Sequence, residues 1–564
     1  MKRQIALLLV LMMLSGCGAE SAAPTVPVET NAPEAPMPTE AVVTEIAFES
    51  RFETENLITL TDDGIETDAD GVFASNDIIY YEDRDAYESG NPYGEGTALD
   101  KHTAEEAAAH TVVNITKPGA YRVTGKLSTG QIRVDLGDDA YDDETAVVEL
   151  ILDNADITCT VAPAILFLNV YECDGAWSEE TAKPDVDTAT AGANLVLEGE
   201  NTVSGAYVAR IYKDKEGEKK LWKQDGAIYS YMSMNVFGPG ALELNAENEG
   251  LDTELHLTIN GGQINIRSGN DGINTNEDNV SVATINGGQL HIIAGLGAEG
   301  DGIDSNGYLV INGGYVVSAA HPAADAGMDS DRGSFIHGGT VIALGSTMDW
   351  AESDSRQVTM NLQFAQYQKA GAAIAITKED GTEVFSYDPA ADEVLGSNAR
   401  QYMGAVISCP AFNQGETYLL YVDGQQMQYT GTDIRKGPGG MGGFGGGFGG
   451  DRTPPEGFEG FGDMPEGWTP GQKGDRPEGQ RGNRPEGGDG QMPTRPAGEW
   501  PEGFGGQPPE GFEGFEGFDG EMPEGFGGQR PGGFGGMEEN GEGSTLFYMQ
   551  DKVNCFSGIS PIAK

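Results

Sequence analysis

From about residue 112 the chain alternates apolar and polar positions in short bursts, each opened by a turn. Pro118-Gly119 is followed by Tyr121 and Val123, Thr129-Gly130 by Ile132 and Val134, Glu200-Asn201 by Val203, and Pro239-Gly240 by Leu242 and Leu244. Further on, Gly262 leads into Ile264 and Ile266, Gly288 into Leu290 and Ile292, Gly314 into Val316, and Gly339 into Val341. Period-two alternation after a turn predicts a strand with one buried face. No long segment carries a helical period, so the pattern predicts an all-β chain.

The bursts repeat. Ile259-Asn260-Gly261-Gly262 returns as Ile285-Asn286-Gly287-Gly288 and Ile311-Asn312-Gly313-Gly314, then as Ile336-His337-Gly338-Gly339. The step is about 25 residues, among the periods of solenoids. A step containing several short strands and no helix matches one coil of a parallel β-helix. A leucine-rich repeat needs a Leu-x-x-Leu-x-Leu frame, which is absent, and a propeller blade needs about 40 residues or more. A β-sandwich would leave the in-register phrases unexplained. In a solenoid Asn260, Asn286 and Asn312 stack, and their side chains hydrogen-bond along the ladder as a structural row.

The period vanishes near 356. Ile374-Ala375-Ile376, Val384-Phe385 and Tyr418-Leu419-Leu420-Tyr421-Val422 then predict antiparallel strands that close the open end. The expected organisation is a lipoprotein signal peptide over 1–16, a disordered linker over 17–45, a parallel β-helix over 46–355, and a β-rich cap over 356–436. A low-complexity Gly/Pro/Glu/Phe segment over 437–543 follows, then a terminal strand segment over 544–564. Asp77-Ile78-Ile79-Tyr80-Tyr81 reads as strand-like, the stretch from His102 to His110 as one or two helical turns, and the charged stretch from Lys213 to Lys223 as a loop leaving the ladder.

Composition narrows the chemistry. A formal net charge of -57 over 564 residues argues against nucleic acid, which needs a basic footprint, and fits a secreted protein that binds divalent cations or stays soluble by self-repulsion. Lys2 and Arg3 followed by the apolar run Ile5 to Leu14 form a secretory signal. Leu14-Ser15-Gly16-Cys17 resembles a lipobox, which makes Cys17 the expected site of lipid attachment and the bacterial cell surface the expected location. Cys159, Cys173, Cys409 and Cys555 permit up to two disulfides, and free buried thiols fit equally.

The candidate chemistry lies in the repeats. Asp271, Asp301 and Asp325 are expected in one row and Asn274, Asp304 and Asp329 in a second, with Asp252 and Asp331 nearby. Stacked carboxylates repel at strand spacing, whereas Ca²⁺ takes six to eight oxygens from Asp, Asn, carbonyls and water. These eight residues are the candidate calcium ligands. Asp-Gly is also good turn chemistry, which accounts for the dipeptide but not for the second row. Acidic residues are too many to single out a glycosidase pair.

Ile115-Thr116-Lys117-Pro118-Gly119-Ala120-Tyr121-Arg122-Val123-Thr124-Gly125, then Gly130-Gln131-Ile132, Asp225-Gly226-Ala227-Ile228, Asn270-Asp271-Gly272-Ile273-Asn274 and the Asn-Gly-Gly phrases carry a resemblance. The chain resembles the carbohydrate-binding β-helix family of secreted bacterial lipoproteins over roughly 55 to 435, and the Gly-rich tail is common there too. The resemblance implies a right-handed parallel β-helix with bound Ca²⁺ and affinity for plant-type polysaccharide, including acidic sugars and cellulose-like chains, in a fold similar to calcium-dependent pectate lyases. The chain departs from the pattern at Asp325-Ala326-Gly327-Met328.

Three functions follow as expectations. The first is a calcium-dependent, lipid-anchored polysaccharide-binding protein, with calcium bridging protein and uronate carboxylates. The second is a pectate-type lyase, which needs a strong base beside the metal. Between Ala241 and Trp350 there is no Lys, and Arg267 and Arg332 are the only Arg residues. The third is a structural adhesin or spacer.

Overall fold

Aliphatic side chains stack in three columns. Leu195, Val236, Ile259, Ile285, Ile311 and Ile336 are in register in the first. Leu242, Ile264, Leu290, Val316 and Val341 form the second, and Ile165, Ile228, Leu251, Ile273 and Ile303 the third. All are at most 1% exposed and belong to one core. Each such side chain contributes about 1.5–3 kcal/mol on burial, so the repeats are held by what they stack against. This is a computed structural model. It describes residues 46–62, 64–79, 102, 104–175, 178–211, 222–323, 325–346, 349–433 and 543–562. The expected signal, Cys17, the linker and nearly all of the low-complexity segment lie outside the described residues.

The chain is all-β and built on large parallel sheets. It visits three parallel ladders in turn: Leu257–Ile259, Gln263–Ser268 and Ile273–Thr275, then Val282–Ile285, Gln289–Ile293 and Ile303–Ser305, then Tyr308–Ile311, Tyr315–Ala319 and Asp329–Ser330. The Asn-Gly-Gly phrase is the turn from the first ladder to the second. Gly262, Gly288, Gly314 and Gly339 have φ of +97°, +85°, +85° and +84°, a region that favours glycine.

At one end Val72–Ser75 pairs antiparallel with Thr111–Ile115. The helix predicted between His102 and His110 is the single turn Ala104–Ala108. The strand-like phrase at Asp77 is not a strand through residue 79, and Tyr80 and Tyr81 lie outside the described residues. At the other end Thr340–Gly345 pairs antiparallel with Tyr402–Ser408, which covers the last edge of the second ladder. A second core of Leu362, Phe364, Ile376, Tyr402, Tyr418 and Phe556 packs there against Val317 and Ile342 of the ladder. After the low-complexity segment the chain re-enters this region: Phe547–Tyr548 pairs with Thr417 and Tyr418, and Val553–Pro561 runs parallel to Thr359–Gln368. Most of the charged insertion lies outside the described residues; Trp222–Gln224 folds back on Val208–Ile211. Cys159, Cys173, Cys409 and Cys555 form no disulfide with one another, and burial pushes the Cys159 thiol up to about 12.

Candidate functional site

The third ladder gathers the acidic residues. Strand alternation turns the residue after each core aliphatic to the opposite face, so Tyr229, Asp252, Asn274, Asp304 and Asp329 form one column in register. At or just before the start of each strand stands an acidic residue followed by glycine: Asp225-Gly226, Glu249-Gly250, Asp271-Gly272 and Asp301-Gly302. The two sets interleave. Carboxylate oxygens of Asp225, Glu249 and Asp252 lie within 4.8 Å of one another, as do those of Asp301, Asp304 and Asp329.

Asp271 lies between the two groups. Burial, and then the carboxylates of Asp304, Glu249 and Asp301, push its carboxyl well above the usual range. Backbone amides hold the row in place: Asp301 N donates to Asp271 Oδ1 at 2.6 Å and Ala326 N to Asp301 Oδ1 at 2.5 Å. Asn274 is 6% exposed, and its Oδ1 accepts no hydrogen bond among the described residues. A buried, unbonded amide oxygen is costly. Set among carboxylates, it suits a hard cation that takes oxygen ligands, so the residues present fit Ca²⁺.

Turn chemistry does not account for these Asp-Gly pairs. Gly250, Gly272 and Gly302 are not in the left-handed region. They are required by close approach: a Cβ on Gly272 would stand 2.6 Å from the Gly302 carbonyl oxygen, and one on Gly302 would stand 2.5 Å from that of Gly327. The glycine serves ladder packing, and the acidic residue beside it needs a separate reason.

One expected row member is displaced. The backbone position that follows Asp301 down the ladder is Ala326, whose carbonyl accepts from Gly302 N as that of Asp301 accepts from Gly272 N. The extra residue in Asp325-Ala326-Gly327 moves Asp325 one place back, where its Oδ2 accepts from Gly300 N at 3.1 Å and lies 3.7 Å from His321 Nδ1. Asp331 is exposed and belongs to neither cluster. Asp225 and Glu249 were not among the expected ligands. Their signal was the acid-Gly step, written once with Glu in place of Asp. Beyond Asp329, Asp349 accepts from Ser330 Oγ and Ser334 Oγ at 2.8 and 3.0 Å, and burial together with Asp329 pushes it up to about 7.

The two arginines are engaged elsewhere. Arg267 stands on the second ladder, 3.0 Å from Glu243, with Nη2 3.5 Å from the Val394 carbonyl. Arg332 lies 5.2 Å over the Tyr308 ring and directs Nη1 to the Asn279 carbonyl at 3.3 Å. Among the described residues, neither makes a hydrogen bond to a member of the acidic column.

The asparagine row is a bonded ladder: Asn286 donates to Asn260 and Asn312 to Asn286, each at 2.9 Å. Asn286→Ala removes both bonds while leaving the glycine turn, so a loss of about 1–3 kcal/mol is expected, read as a lower urea midpoint with an unchanged slope.

A family model described as carbohydrate-binding domain-containing protein matches residues 109–399. A carbohydrate-binding domain-containing protein of Acetivibrio thermocellus is 29% identical over 157 residues, which is 28% of this chain and 45% of that protein. The chain thus spans less than half the length of that relative. A solved polysaccharide lyase-like protein from C. thermocellum, a gadolinium derivative, aligns with a TM-score of 0.32 and 21% identity over 52% of this chain and 92% of that one.

Proposed function

The chain belongs to the carbohydrate-binding domain-containing family, and from that premise we propose a calcium-dependent polysaccharide-binding lipoprotein of the bacterial surface. The three ladders wind as a right-handed parallel β-helix in this reading. Lipid on Cys17 holds it to the membrane, and loss of acyl-chain labelling in Cys17→Ala is the expected result. The observation that carries the calcium reading is the acidic column, buried at Asp252 and half-buried at Asp304 and Asp329, with the unbonded Asn274 oxygen inside it.

Asp225, Glu249 and Asp252 would hold one ion, and Asp301, Asp304 and Asp329 a second, with Asn274 and Asp271 between them. A bound calcium ion would neutralise carboxylates that otherwise repel, and the half-buried Asp304 and Asp329 would leave it within reach of a uronate carboxylate. That answers how so acidic a chain attracts an acidic glycan. The engagement of Arg267 with Glu243 and of Arg332 with Tyr308 supports binding over β-elimination, since elimination needs a base at the metal.

The test is affinity electrophoresis in a gel containing polygalacturonate. Retardation is expected with calcium and not with chelator, and Asp304→Ala should lose it at matched folding. Equal mobility in both buffers would overturn the calcium reading. Release of an ultraviolet-absorbing unsaturated product would replace binding with lyase activity.

A further inference from the structure

Three turns carry the same four residues, Ile-Asn-Gly-Gly, at 259–262, 285–288 and 311–314. Asn-Gly is a reactive pair: the glycine nitrogen can attack the asparagine carboxamide because the glycine has no side chain to stand in the way. With the local sequence identical, any difference in reactivity among the three comes from the fold. The fold does set them apart. Asn260 is 5% exposed, Asn286 is half-buried and Asn312 is exposed. A carboxamide offers an acceptor oxygen and a donor nitrogen. Asn260 Oδ1 accepts from Asn286, and Asn286 Oδ1 accepts from Asn312, so Asn286 is held at both of its polar atoms. Asn312 is the open end of the row. It donates one hydrogen bond, and its Oδ1 accepts none among the described residues. The nitrogen beside it is weakly held: Gly313 N shares the Ile285 carbonyl with Asn312 N, at 3.3 Å against 2.7 Å.

We propose that Asn312 is a self-modification site, where the folded chain turns its own asparagine into aspartate and isoaspartate. Gly313 N forms a bond to Asn312 Cγ, the Cγ–Nδ2 bond breaks, and ammonia leaves carrying the Gly313 amide proton. Water then opens the succinimide ring at either carbonyl, giving aspartate or its β-linked isomer. The proposal stands apart from the calcium and from the glycan. Its consequence is electrostatic. The donor to Asn286 is lost, and an anion takes the end of the row. His337 follows Ile336 as Asn312 follows Ile311, so the two are neighbours in one column. Arg356 N donates to His337 Nδ1 at 3.3 Å, and burial followed by the Arg356 charge holds that imidazole below its ordinary value. Arg356 is exposed and pairs with no carboxylate among the described residues. The new carboxylate therefore forms one strand away from the residue that Arg356 touches.

The experiment ages the full chain at mildly alkaline pH, folded and in urea, and follows the three turns by mass spectrometry. Cleavage at Glu254, Glu277, Glu299 and Glu352 puts each Asn-Gly on its own peptide. In urea the three should convert at similar rates, since their local sequence is the same. In the folded chain Asn312 should convert first, at least about fivefold faster than Asn286, the factor that one further hydrogen bond supplies. The first acidic species on anion exchange should carry the charge of the variant Asn312→Asp, and the variant Asn312→Gln should not form it. Equal folded-state rates at the three positions, or conversion of Asn286 or Asn260 ahead of Asn312, would overturn the proposal. So would an unchanged Asn312 in the folded chain after the urea-treated chain has converted.

Discussion

Calcium in large excess is expected to raise the melting temperature by several degrees and chelator to reverse the rise. A ligand bound only by the native state at a thousandfold its Kd adds about 4 kcal/mol. The pH dependence is the sharper measurement. Without metal, Asp271 holds its proton well above the usual carboxylate range, and Asp349 holds its own up to about 7. A carboxyl raised in the folded state stabilises below the unfolded value, and that contribution is lost as pH rises through the folded one. The chelated protein should therefore melt lower at neutral pH than at mildly acid pH, with the decline falling between 3.8 and about 7 for Asp349. Calcium should flatten or invert the slope, because it holds the same groups ionised. General repulsion at a net charge of -57 acts in the same direction, so Asp271→Asn and Asp349→Asn are the controls, and each should reduce the slope in chelator. A chelated protein of pH-independent stability would remove the reason for a cation.

Gly302→Ala is expected to cost about 1–3 kcal/mol or more, since overpacking a filled interior forces neighbours to shift. The new methyl would press on Ser318 Oγ and on the Gly327 carbonyl oxygen, which stands at 2.5 Å, and backbone in a ladder does not yield cheaply. Gly175→Ala is the contrast: a Cβ there meets nothing within 4 Å, and its φ is outside the left-handed region. Urea melts of the two variants should differ by the whole effect. Equal midpoints would show that the third ladder can open at this step.

What was legible in the sequence was whatever repeats locally. The Ile-Asn-Gly-Gly phrase marks the turn into the second ladder, and its period places Asn274, Asp304 and Asp329 on one line. A one-residue change in the repeat was enough to mislead, and so Asp325 was placed in a row that Ala326 occupies. Glu249 breaks the Asp-Gly phrase by one methylene, although carboxylates of either length reach the cluster. Contacts distant in sequence left no trace. His291 meets Asp392, and Arg400 donates to the Ala294 and Gly295 carbonyls, across about a hundred residues with no repeat to announce them.

The register has a consequence for how such a chain changes over generations. From Ile259 to Ile285 to Ile311 the first ladder advances one whole repeat at a time, without slip. Duplicating one repeat in the middle would therefore disturb no existing contact within a repeat and would create only copies of an interface that already works. Because the acidic column runs across the strands, the same duplication would lengthen it. Avidity for a long polymer then becomes a matter of gene length, adjustable in whole steps by recombination between similar repeats, with no new chemistry invented.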